Sequence, residues 1–314
     1  MKKIITVGEA MAMFIADEKK NLSDVERFTR SIAGAEVNVA IGLSRLGHEV
    51  TYISSVGNDP FGEYIKKVLK KEKIRTGYVT VNTRRNTGFQ LKEKNEKEDP
   101  KVVYFRKNSA ASSLSRHILK KLDLKEYDLL HITGIFPSLS RRNYQFTKEL
   151  IIKAKKNGVL VTFDPNCRPV LWKNEEEMIK VTNEIAFMCD VIIPGYSEGK
   201  ILTGKDSTEE IAQFYIDKGI KNVFMKYKKE KSLFFSKEGY ETFPCFKVKV
   251  IDTVGAGDGF AVGVIDGLLN NLSGEEILRQ ANAIGAIQVT NLSDNEGLPI
   301  RNELERFITT HTGV

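Results

Sequence analysis

Ile251-Asp-Thr-Val-Gly-Ala-Gly-Asp-Gly-Phe260 is the stretch of sequence that decides how the rest of the chain is interpreted. It follows an apolar run from Phe246, which we interpret as a strand, and it precedes a predicted helix over 258–269. A strand, a glycine turn and a helix start bind phosphate, because the glycine backbone can approach an anion closely and the first helical N–H groups are unpaired. The segment therefore predicts a phosphate site.

Asp258 is the unusual residue of this segment, since a phosphate repels a carboxylate that has no part in the reaction. One use for it is as the general base for a hydroxyl that attacks the terminal phosphate. The alternative is that Asp258 only caps the helix. A dinucleotide fingerprint is also half matched, but an acidic residue is expected about 20 positions further on, where this chain has Leu278.

The composition is that of an ordinary globular protein. The 314 residues are 41% apolar and 28% charged, which excludes disordered and collagen-like classes. The formal net charge is +7, yet basic and acidic residues are interspersed, so the chain has no basic stripe of the kind that binds nucleic acid. A modest positive balance suits small anionic ligands instead.

Neither a membrane span nor a secretory leader is predicted. Glu9 interrupts the apolar start of the chain, and no apolar run approaches the roughly 20 residues that a span needs. The spacing of Cys167, Cys189 and Cys245 fits neither a zinc site nor a disulfide framework. We therefore expect reduced thiols in a cytoplasmic protein.

Strand and helix patterns alternate along most of the chain, which predicts an α/β fold with a doubly wound, mainly parallel sheet flanked by helices. The predicted strands span 4–7, 50–54, 129–132, 159–163, 191–193 and 223–226, and the clearest helices span 36–46 and 143–156. Residues 10–31 and 77–107 break the alternation and are assigned to a small separate β-sheet. The main domain then comprises 1–9, 32–76 and 108–314. The charge run 92–101 is interpreted as a solvated hairpin tip.

A glycine-led helix near the N-terminus, Ala33-Gly-Ala-Glu-Val-Asn-Val-Ala-Ile-Gly-Leu-Ser-Arg-Leu-Gly47, accompanies the C-terminal segment. Together the two motifs resemble the signatures of the ribokinase-like sugar kinases, also called the PfkB carbohydrate kinase family. The resemblance covers nearly the whole chain in order and spacing. It implies a ribokinase-like fold with a β-sheet lid over the site, with ATP and Mg²⁺ taking part in the reaction.

The resemblance also assigns roles within the phosphate turn. It implies that Asp258 is the catalytic base and that the backbone of Gly255, Ala256 and Gly257 forms an anion hole for the transferred phosphate. Asp252 matches an invariant family position. Its role is either to support the turn or to lie near a monovalent cation such as K⁺.

The charge of the substrate distinguishes branches of the family, since an acidic sugar needs cations in its pocket and Arg matches a carboxylate best. The stretches 104–112 and 164–169 offer such cations, the second after a predicted strand, where ligands of open α/β sheets bind. These stretches resemble the branch that acts on 2-keto-3-deoxygluconate. The resemblance implies substrate contacts from Gly34, Tyr104, Arg106 and Arg168, with Arg168 or Arg106 near the carboxylate; either Arg taken singly could be a solvated surface residue.

Three further residues are candidates for substrate contact. Asn38 either binds a substrate hydroxyl or satisfies backbone groups at the helix start. Gln90 marks where the lid faces the pocket. Asp294 lies where the family has a late substrate or nucleotide contact, although an Asx turn would explain it equally.

The nucleotide side departs from the family pattern at two places. Many members have Asn-x-x-Glu where this chain has Gly195-Tyr-Ser-Glu198, so Glu198 keeps a role in organising Mg²⁺ and its waters while the Asn is missing. A glycine-containing turn is replaced by Met225-Lys-Tyr-Lys-Lys-Glu-Lys231. Lys226 is a candidate phosphate contact, and a solvated basic hairpin is the alternative.

The sequence therefore predicts an ATP-dependent kinase of the C6 hydroxyl of 2-keto-3-deoxygluconate. The alternatives are a fructokinase or another neutral-sugar kinase of the same family, and a non-catalytic sugar-acid sensor. The expected partners are small molecules, with neither nucleic acid nor membrane. Exposed strand edges in the lid would favour a homo-oligomer.

Overall fold

The computed structural model describes residues 1–94, 100–227 and 230–311. The middle of the predicted hairpin tip, 95–99, and the two lysines at 228–229 of the basic hairpin lie outside the described residues. In chain order the strands are β1 (Lys3–Val7), β2 (Met11–Ala16), β3 (Phe28–Ala33), β4 (Glu49–Gly57), β5 (Arg75–Asn82), β6 (Phe89–Lys92), β7 (Val102–Phe105), β8 (Leu129–Thr133), β9 (Leu160–Asp164), β10 (Val191–Ile192), β11 (Asn222–Tyr227), β12 (Lys231–Ser236) and β13 (Gly239–Pro244). The helices are α1 (Ala35–Arg45), α2 (Pro60–Lys71), α3 (His117–Lys121), α4 (Ile135–Ser138), α5 (Arg141–Lys156), α6 (Glu175–Ala186), α7 (Tyr196–Thr203), α8 (Thr208–Asp217), α9 (Ala256–Leu269), α10 (Gly274–Gln288) and α11 (Arg301–Thr310).

The large sheet has the order β13-β12-β11-β10-β9-β8-β1-β4-β5 and is parallel from β11 to β5. Successive side chains of a strand point to opposite faces, and in β1 Ile4 enters one apolar core while Ile5 enters the other. Helices α1, α9 and α10 cover the first core, and α5 and α8 cover the second. The prediction of a doubly wound α/β fold is confirmed.

The strand order reverses at β1, which lies between β4 on one side and β8 on the other. The chain leaves β1 toward the β4 edge, and only later returns through β8 and β9 to build the other half. In open α/β sheets such a reversal leaves a crevice at the carboxyl ends of the strands. Glu9, which follows β1, and Asp164, which ends β9, therefore lie at one edge.

The smaller sheet has the order β3-β2-β6-β7, so the prediction of a second, small sheet is confirmed. Its predicted boundary at residue 77 is wrong, because β5 pairs in parallel with β4 as an edge strand of the large sheet. Likewise, β3 carries the small sheet to Ala33 rather than to residue 31. A strand's own alternation of residues does not reveal which sheet it joins, and this explains both errors.

Residues 246–251, directly before the glycine turn, do not form a strand, contrary to our interpretation. Phe246 is buried against Phe243 and Phe307, which explains the apolar character of this stretch. The amides of Ile251 and Asp252 donate to the carbonyl of Val289, just beyond α10. A helix end thus satisfies backbone groups that a neighbouring strand would otherwise satisfy.

The glycines of α9 bring this helix close to α10. A Cβ at Gly263 would lie 2.4 Å from the Cα of Ala281, and one at Gly267 would lie 2.6 Å from a side-chain carbon of Ile277. Larger residues would push the two helices apart and move the start of α9, where the phosphate turn lies. Along the described chain, no helix is both long and apolar enough to cross a membrane.

Candidate active site

A cleft of about 540 Å³ opens at the carboxyl ends of the central strands, between the large and the small sheet. It brings together twelve of the residues singled out from the sequence: Gly34, Asn38, Gln90, Tyr104, Arg106, Arg168, Glu198, Lys226, Gly255, Gly257, Asp258 and Asp294. Ala256 begins α9 between the two cleft glycines. The carboxylate of Asp252 is buried and binds Lys92.

Gly255 turns the chain into α9 and is the N-cap residue of that helix. Its φ of +85° lies in the left-handed region, and a Cβ there would lie 2.3 Å from the carbonyl oxygen of Asp294. Both the backbone angle and the space require glycine. The first N–H groups of α9 are left without helical partners beside the cleft, as an anion site needs.

Asp258 is the third residue of α9 and does not cap the helix, because Gly255 occupies the N-cap position. Its carboxylate instead accepts hydrogen bonds from two amides, Asn38 Nδ2 at 2.7 Å and Asn166 Nδ2 at 3.4 Å. Burial raises the pKa of Asp258 to about 7, and the nearby Asp164 carboxylate acts in the same direction. A carboxyl with such a pKa is suited to exchange a proton near neutral pH.

Asn38 lies in the first turn of α1 and is nearly fully buried. Its amide nitrogen donates to Asp258, and its amide oxygen accepts from Asn295 Nδ2 at 2.9 Å. Both ends of the side chain are thus engaged, and the bond from Asn295 fixes which end faces Asp258. Its described side-chain bonds go to Asp258 and Asn295 and not to backbone groups at the helix start. Asn38 lines the cleft, so its contact with a substrate hydroxyl stays a prediction.

Two buried carboxylates that we had not singled out line the substrate end of the cleft. Glu9 Oε2 accepts from Arg106 Nε at 2.7 Å, which leaves Glu9 Oε1 buried without a hydrogen-bond partner among the described residues. Glu36 Oε1 accepts from the hydroxyl of Thr133, and Glu36 Oε2 is likewise unpartnered. Burial raises the pKa of Glu36 to about 7. These two oxygens face backbone glycines, Glu9 Oε1 near Gly88 and Glu36 Oε2 near Gly8.

The two arginines of the cleft differ in what they already bind. Arg106 is largely buried and forms an ion pair with Glu9. Arg168 is exposed at the cleft edge, donates to the carbonyl of Cys167, and makes no ion pair with the residues that the structure describes. Arg168 is therefore the cation that remains available for an acidic ligand.

Lys226 and Asp164 form an ion pair on the nucleotide side, with 3.0 Å between Nζ and Oδ2. Burial lowers the pKa of Lys226, but the carboxylates of Asp164 and Glu198 outweigh it, so the pKa lies above its usual value and the lysine stays charged. A Cβ at Gly257 would be 3.6 Å from this ammonium group, which places the charge next to the phosphate turn.

Glu198 ties two segments of the nucleotide side together. Its Oε1 accepts from the amide of Cys167 at 2.7 Å, and its Oε2 accepts from the amide of Gly195 at 2.8 Å. Gly195 is the N-cap residue of α7, and the Glu198 carboxylate caps this helix start. Each carboxylate oxygen can accept a second bond, and Glu198 lines the cleft.

The carboxylates beside the phosphate turn fit the way in which Mg²⁺ is usually bound in nucleotide sites. In the described ranges no three His, Cys, Asp or Glu side chains are grouped to enclose a metal ion. Mg²⁺ in such sites keeps several waters and takes one or two carboxylates together with phosphate oxygens. Asp164 and Glu198 line the cleft and would supply those carboxylates.

The residues around Asp252 do not fit a monovalent cation. Asp252 Oδ2 accepts from Lys92 Nζ at 2.6 Å and Oδ1 accepts from the amide of Val254 at 3.0 Å. Asp294 Oδ1 faces the same ammonium group at 2.9 Å. The place next to Asp252 is held by a positive charge of the chain itself.

The sequence contained signals for the residues that we missed. Glu9 and Asp164 directly follow or end central strands, where side chains of a doubly wound sheet reach the ligand. Glu36 lies two residues before Asn38 within the N-terminal motif. The sequence does not indicate that Lys92 is buried, because it begins the charge run 92–101 and resembles the solvated lysines of that run.

Comparison with known proteins shows the family of this chain. The family model described as pfkB family carbohydrate kinase matches residues 1–301. The 2-dehydro-3-deoxygluconokinase of Bacillus subtilis (strain 168) is 42% identical over 313 residues, covering 99% of this chain and 96% of the relative.

Two solved structures share the fold at 25% identity. A putative ribokinase II from E. coli in complex with ATP and Mg²⁺ superposes with a TM-score of 0.89, covering 99% of this chain and 100% of that one. The 2-dehydro-3-deoxygluconokinase of Thermotoga maritima superposes with a TM-score of 0.88, covering 98% and 100%. Since the family model spans nearly the whole sequence and a relative is 42% identical over its length, the chain belongs to the pfkB family of carbohydrate kinases.

Proposed function

We propose that this kinase transfers the γ-phosphate of ATP to the C6 hydroxyl of 2-keto-3-deoxygluconate (2-dehydro-3-deoxygluconate), giving the 6-phosphate. The observation that carries the proposal is that one cleft holds both a carboxyl with a pKa of about 7, Asp258, and an arginine without a carboxylate partner among the described residues, Arg168. The names of the Bacillus subtilis relative and the Thermotoga maritima structure support the choice of sugar acid.

Asp258 acts as the base. Its carboxylate takes the proton of the C6 hydroxyl as that oxygen forms its bond to the γ-phosphorus and the bond to the β-phosphate oxygen breaks, leaving ADP. The two amides that hold the Asp258 carboxylate keep it oriented toward the cleft. The backbone N–H groups of Gly255, Ala256 and Gly257 stabilise the charge that develops on the transferred group.

The donor site is the nucleotide side of the cleft. Lys226 and the start of α9 bring positive charge to the phosphates of ATP, in line with the ATP and Mg²⁺ of the E. coli relative. Mg²⁺, when bound, neutralises the phosphate charge, and Asp164 and Glu198 would hold it with its waters.

Arg168 sets the preference for an acidic sugar. It reaches the cleft and forms no ion pair with a carboxylate of the described residues, whereas the charge of Arg106 is already balanced by Glu9. Glu9 and Glu36 line the same end of the cleft. Gly34 has a φ of +136°, and a Cβ there would lie 2.4 Å from the carbonyl oxygen of Glu9, so glycine lets the start of α1 pack closely against the chain that follows β1.

The small sheet serves as a lid. Gln90 and Tyr104 from β6 and β7 line the cleft, so closure of this sheet would exclude water from the transferred phosphate. Its edge strands β3 and β7 can pair with another copy, and the half-exposed Phe105 on β7 supports a homo-oligomer formed through the lid. A cytoplasmic location fits the three free cysteines.

The test is an ADP-release assay with 2-keto-3-deoxygluconate, its galacto epimer, fructose and ribose, run with ATP and with GTP. We expect the sugar acids to have the highest kcat/KM and ATP to be the better donor. A higher kcat/KM for fructose would replace the proposal with the neutral-sugar alternative.

Asp258→Asn tests the base in the same assay. We expect kcat to fall at least about 1000-fold while the Kd for the sugar acid stays nearly unchanged, because the substitution removes a proton acceptor and keeps its volume. Asp217→Asn, on the exposed end of α8, is the matched control and should retain full activity. Sugar-acid binding without turnover in the wild type would instead identify a sensor.

A further inference from the structure

We propose that the ammonium group of Lys92 is the internal cation of the phosphate turn, so that phosphoryl transfer proceeds without an added monovalent cation. The proposal rests on the phosphoryl transfer proposed above and not on the identity of the sugar. It replaces the expectation, raised by the family resemblance, that Asp252 lies near K⁺.

Lys92 is buried at the meeting point of three segments. It projects from β6, is 1% exposed, and its Nζ lies 2.6 Å from Asp252 Oδ2 and 2.9 Å from Asp294 Oδ1. The two aspartates are 7% and 5% exposed. A buried ammonium group persists only where opposite charges and hydrogen bonds compensate its lost hydration, and the two carboxylates supply both.

The bonds of this cluster reach the phosphate turn directly. Asp252 Oδ1 accepts from the amide of Val254 at 3.0 Å, so the carboxylate that binds Lys92 also holds the residue that precedes Gly255. The carbonyl oxygen of Asp294 packs against Gly255 from the other side. One ammonium group therefore fixes both segments that enclose the turn.

Among the described residues, the carboxylate oxygens that face this place are already engaged. Both oxygens of Asp252 already accept hydrogen bonds, and the oxygen of Asp294 that faces it binds the same ammonium group. Another positive charge at this distance would be repelled by Lys92, since the repulsion is hardly screened in a buried site. Burial lowers the pKa of Lys92, but the two carboxylates outweigh it and keep the lysine charged.

Strand β6 carries this cation because alternate residues share a face. Gln90 and Lys92 are two positions apart, both are buried, and Gln90 lines the cleft. The small sheet therefore contributes to the floor of the phosphate site as well as to its cover. Lys94, two residues beyond, donates to the exposed carbonyl of Asp17 and offers a matched control.

The first test uses the wild-type enzyme. Initial rates are measured in choline chloride and in KCl at a constant ionic strength of about 0.1 M, with the nucleotide and all other reagents supplied free of potassium, sodium and ammonium. We expect the two rates to differ by less than about twofold. Stimulation of about tenfold or more by K⁺ would overturn the proposal.

The second test removes the internal cation in two ways. Lys92→Ala leaves space beside the two aspartates, and Lys92→Met fills that space without charge. We expect both variants to lose about 100-fold in kcat in choline, because the turn shifts. Adding K⁺, ammonium or methylammonium should raise the kcat of Lys92→Ala at least about tenfold. The kcat of Lys92→Met should not change.

Lys94→Ala should behave as the wild type in every buffer. Full activity of Lys92→Ala without added cation would contradict the proposal, as would equal recovery of both variants. If Lys92→Ala does not fold, the wild-type comparison still decides.

A binding readout separates this proposal from the choice of sugar. The melting temperature of Lys92→Ala should rise with KCl relative to choline chloride, while that of the wild type and of Lys92→Met should not. This measurement needs no turnover, so an error in the proposed substrate leaves it intact. An identical response of all three proteins would overturn the proposal.

Discussion

Asn38 donates a hydrogen bond of 2.7 Å to the carboxylate of Asp258, across 220 residues of sequence. The bond joins the N-terminal glycine-led motif to the C-terminal phosphate turn. A donor to a carboxylate favours its ionised form, so the bond partly offsets the burial that raises the pKa of Asp258 to about 7. The two motifs of the chain thus share control of one proton acceptor.

Asn38→Ala should therefore move the acidic limb of the pH profile. In the wild type we expect kcat/KM to fall as the pH drops below about 7, because Asp258 becomes protonated. Loss of the donated bond should raise that pKa by about one unit, with activity recovering at higher pH. Glu36→Gln is the control, since Glu36 also has a pKa of about 7 but takes no proton from the substrate. If the acidic limb of kcat/KM disappears in this variant, that limb reports Glu36 and not Asp258.

Asp258→Asn should make the protein more stable at alkaline pH. Burial raises the pKa of Asp258 from 3.8 to about 7, so the folded state binds a proton that the unfolded state has released, and stability falls as the pH rises between those values. Above about pH 7 the variant should gain at least about 1 kcal/mol in the free energy of unfolding, the side chain being only partly buried. The gain should shrink on acidification and vanish below the unfolded pKa. Urea unfolding across pH measures it, and a constant gain would contradict the assigned pKa.

Arg168→Ala should weaken binding of the sugar acid selectively. Loss of a charge-assisted bond to the substrate carboxylate predicts a rise in KM of about 10- to 100-fold, with little change in KM for ATP. Arg141→Ala, at the exposed start of α5, serves as the control. Equal effects of Arg168→Ala on acidic and neutral sugars would show that Arg168 does not bind the carboxylate.

Arg106→Ala should destabilise the fold, because it leaves the buried carboxylate of Glu9 without its counter-charge. Breaking a buried ion pair by removing one partner costs about 3–5 kcal/mol. In the double variant Glu9→Gln, Arg106→Ala, most of the lost free energy of unfolding should be recovered. The KM for the sugar should be raised in both the single Arg106→Ala variant and the double variant, because Arg106 lines the cleft. Chemical unfolding of the two single variants and the double variant measures the coupling, and strictly additive losses would argue against the pair.

Lys226→Gln should act on the donor side. We expect the KM for ATP to rise about tenfold and the KM for the sugar acid to change little, since the lysine lies beside the phosphate turn and pairs with Asp164. Lys226→Arg keeps the charge, so its KM for ATP should lie between those of the wild type and Lys226→Gln. Lys200→Gln, an exposed lysine paired with Asp206, is the matched control. An unchanged KM for ATP would assign Lys226 to structural support of Asp164.

Much of the fold and part of the site could be predicted because they depend on local patterns. The 3.6-residue spacing of α1 and the apolar runs of β8 and β9 appear in the sequence within a few residues of their observed bounds. The glycine at 255 likewise expresses a local backbone requirement. The apolar run that begins at Phe246 misled us, because its burial against Phe307 is a tertiary contact.

The pairing of charges could not be predicted in the same way. Glu9 with Arg106, and Lys92 with Asp252 and Asp294, are joined across distances that only the strand order closes. From sequence, Arg106 and Arg168 were equal candidates for the substrate carboxylate. The ion pair with Glu9 separates them and leaves Arg168 available.

By itself the sequence determined that two glycine motifs flank a doubly wound α/β chain, and that an aspartate lies at the start of a phosphate-binding helix. It could do so because backbone angles, helix starts and periodicity are properties of neighbouring residues. Only the tertiary structure decided which charges meet: Asn38 with Asp258, Glu9 with Arg106, and Lys92 with Asp252. The physical reason is that a buried charge takes its pKa and its partner from whatever the fold packs around it.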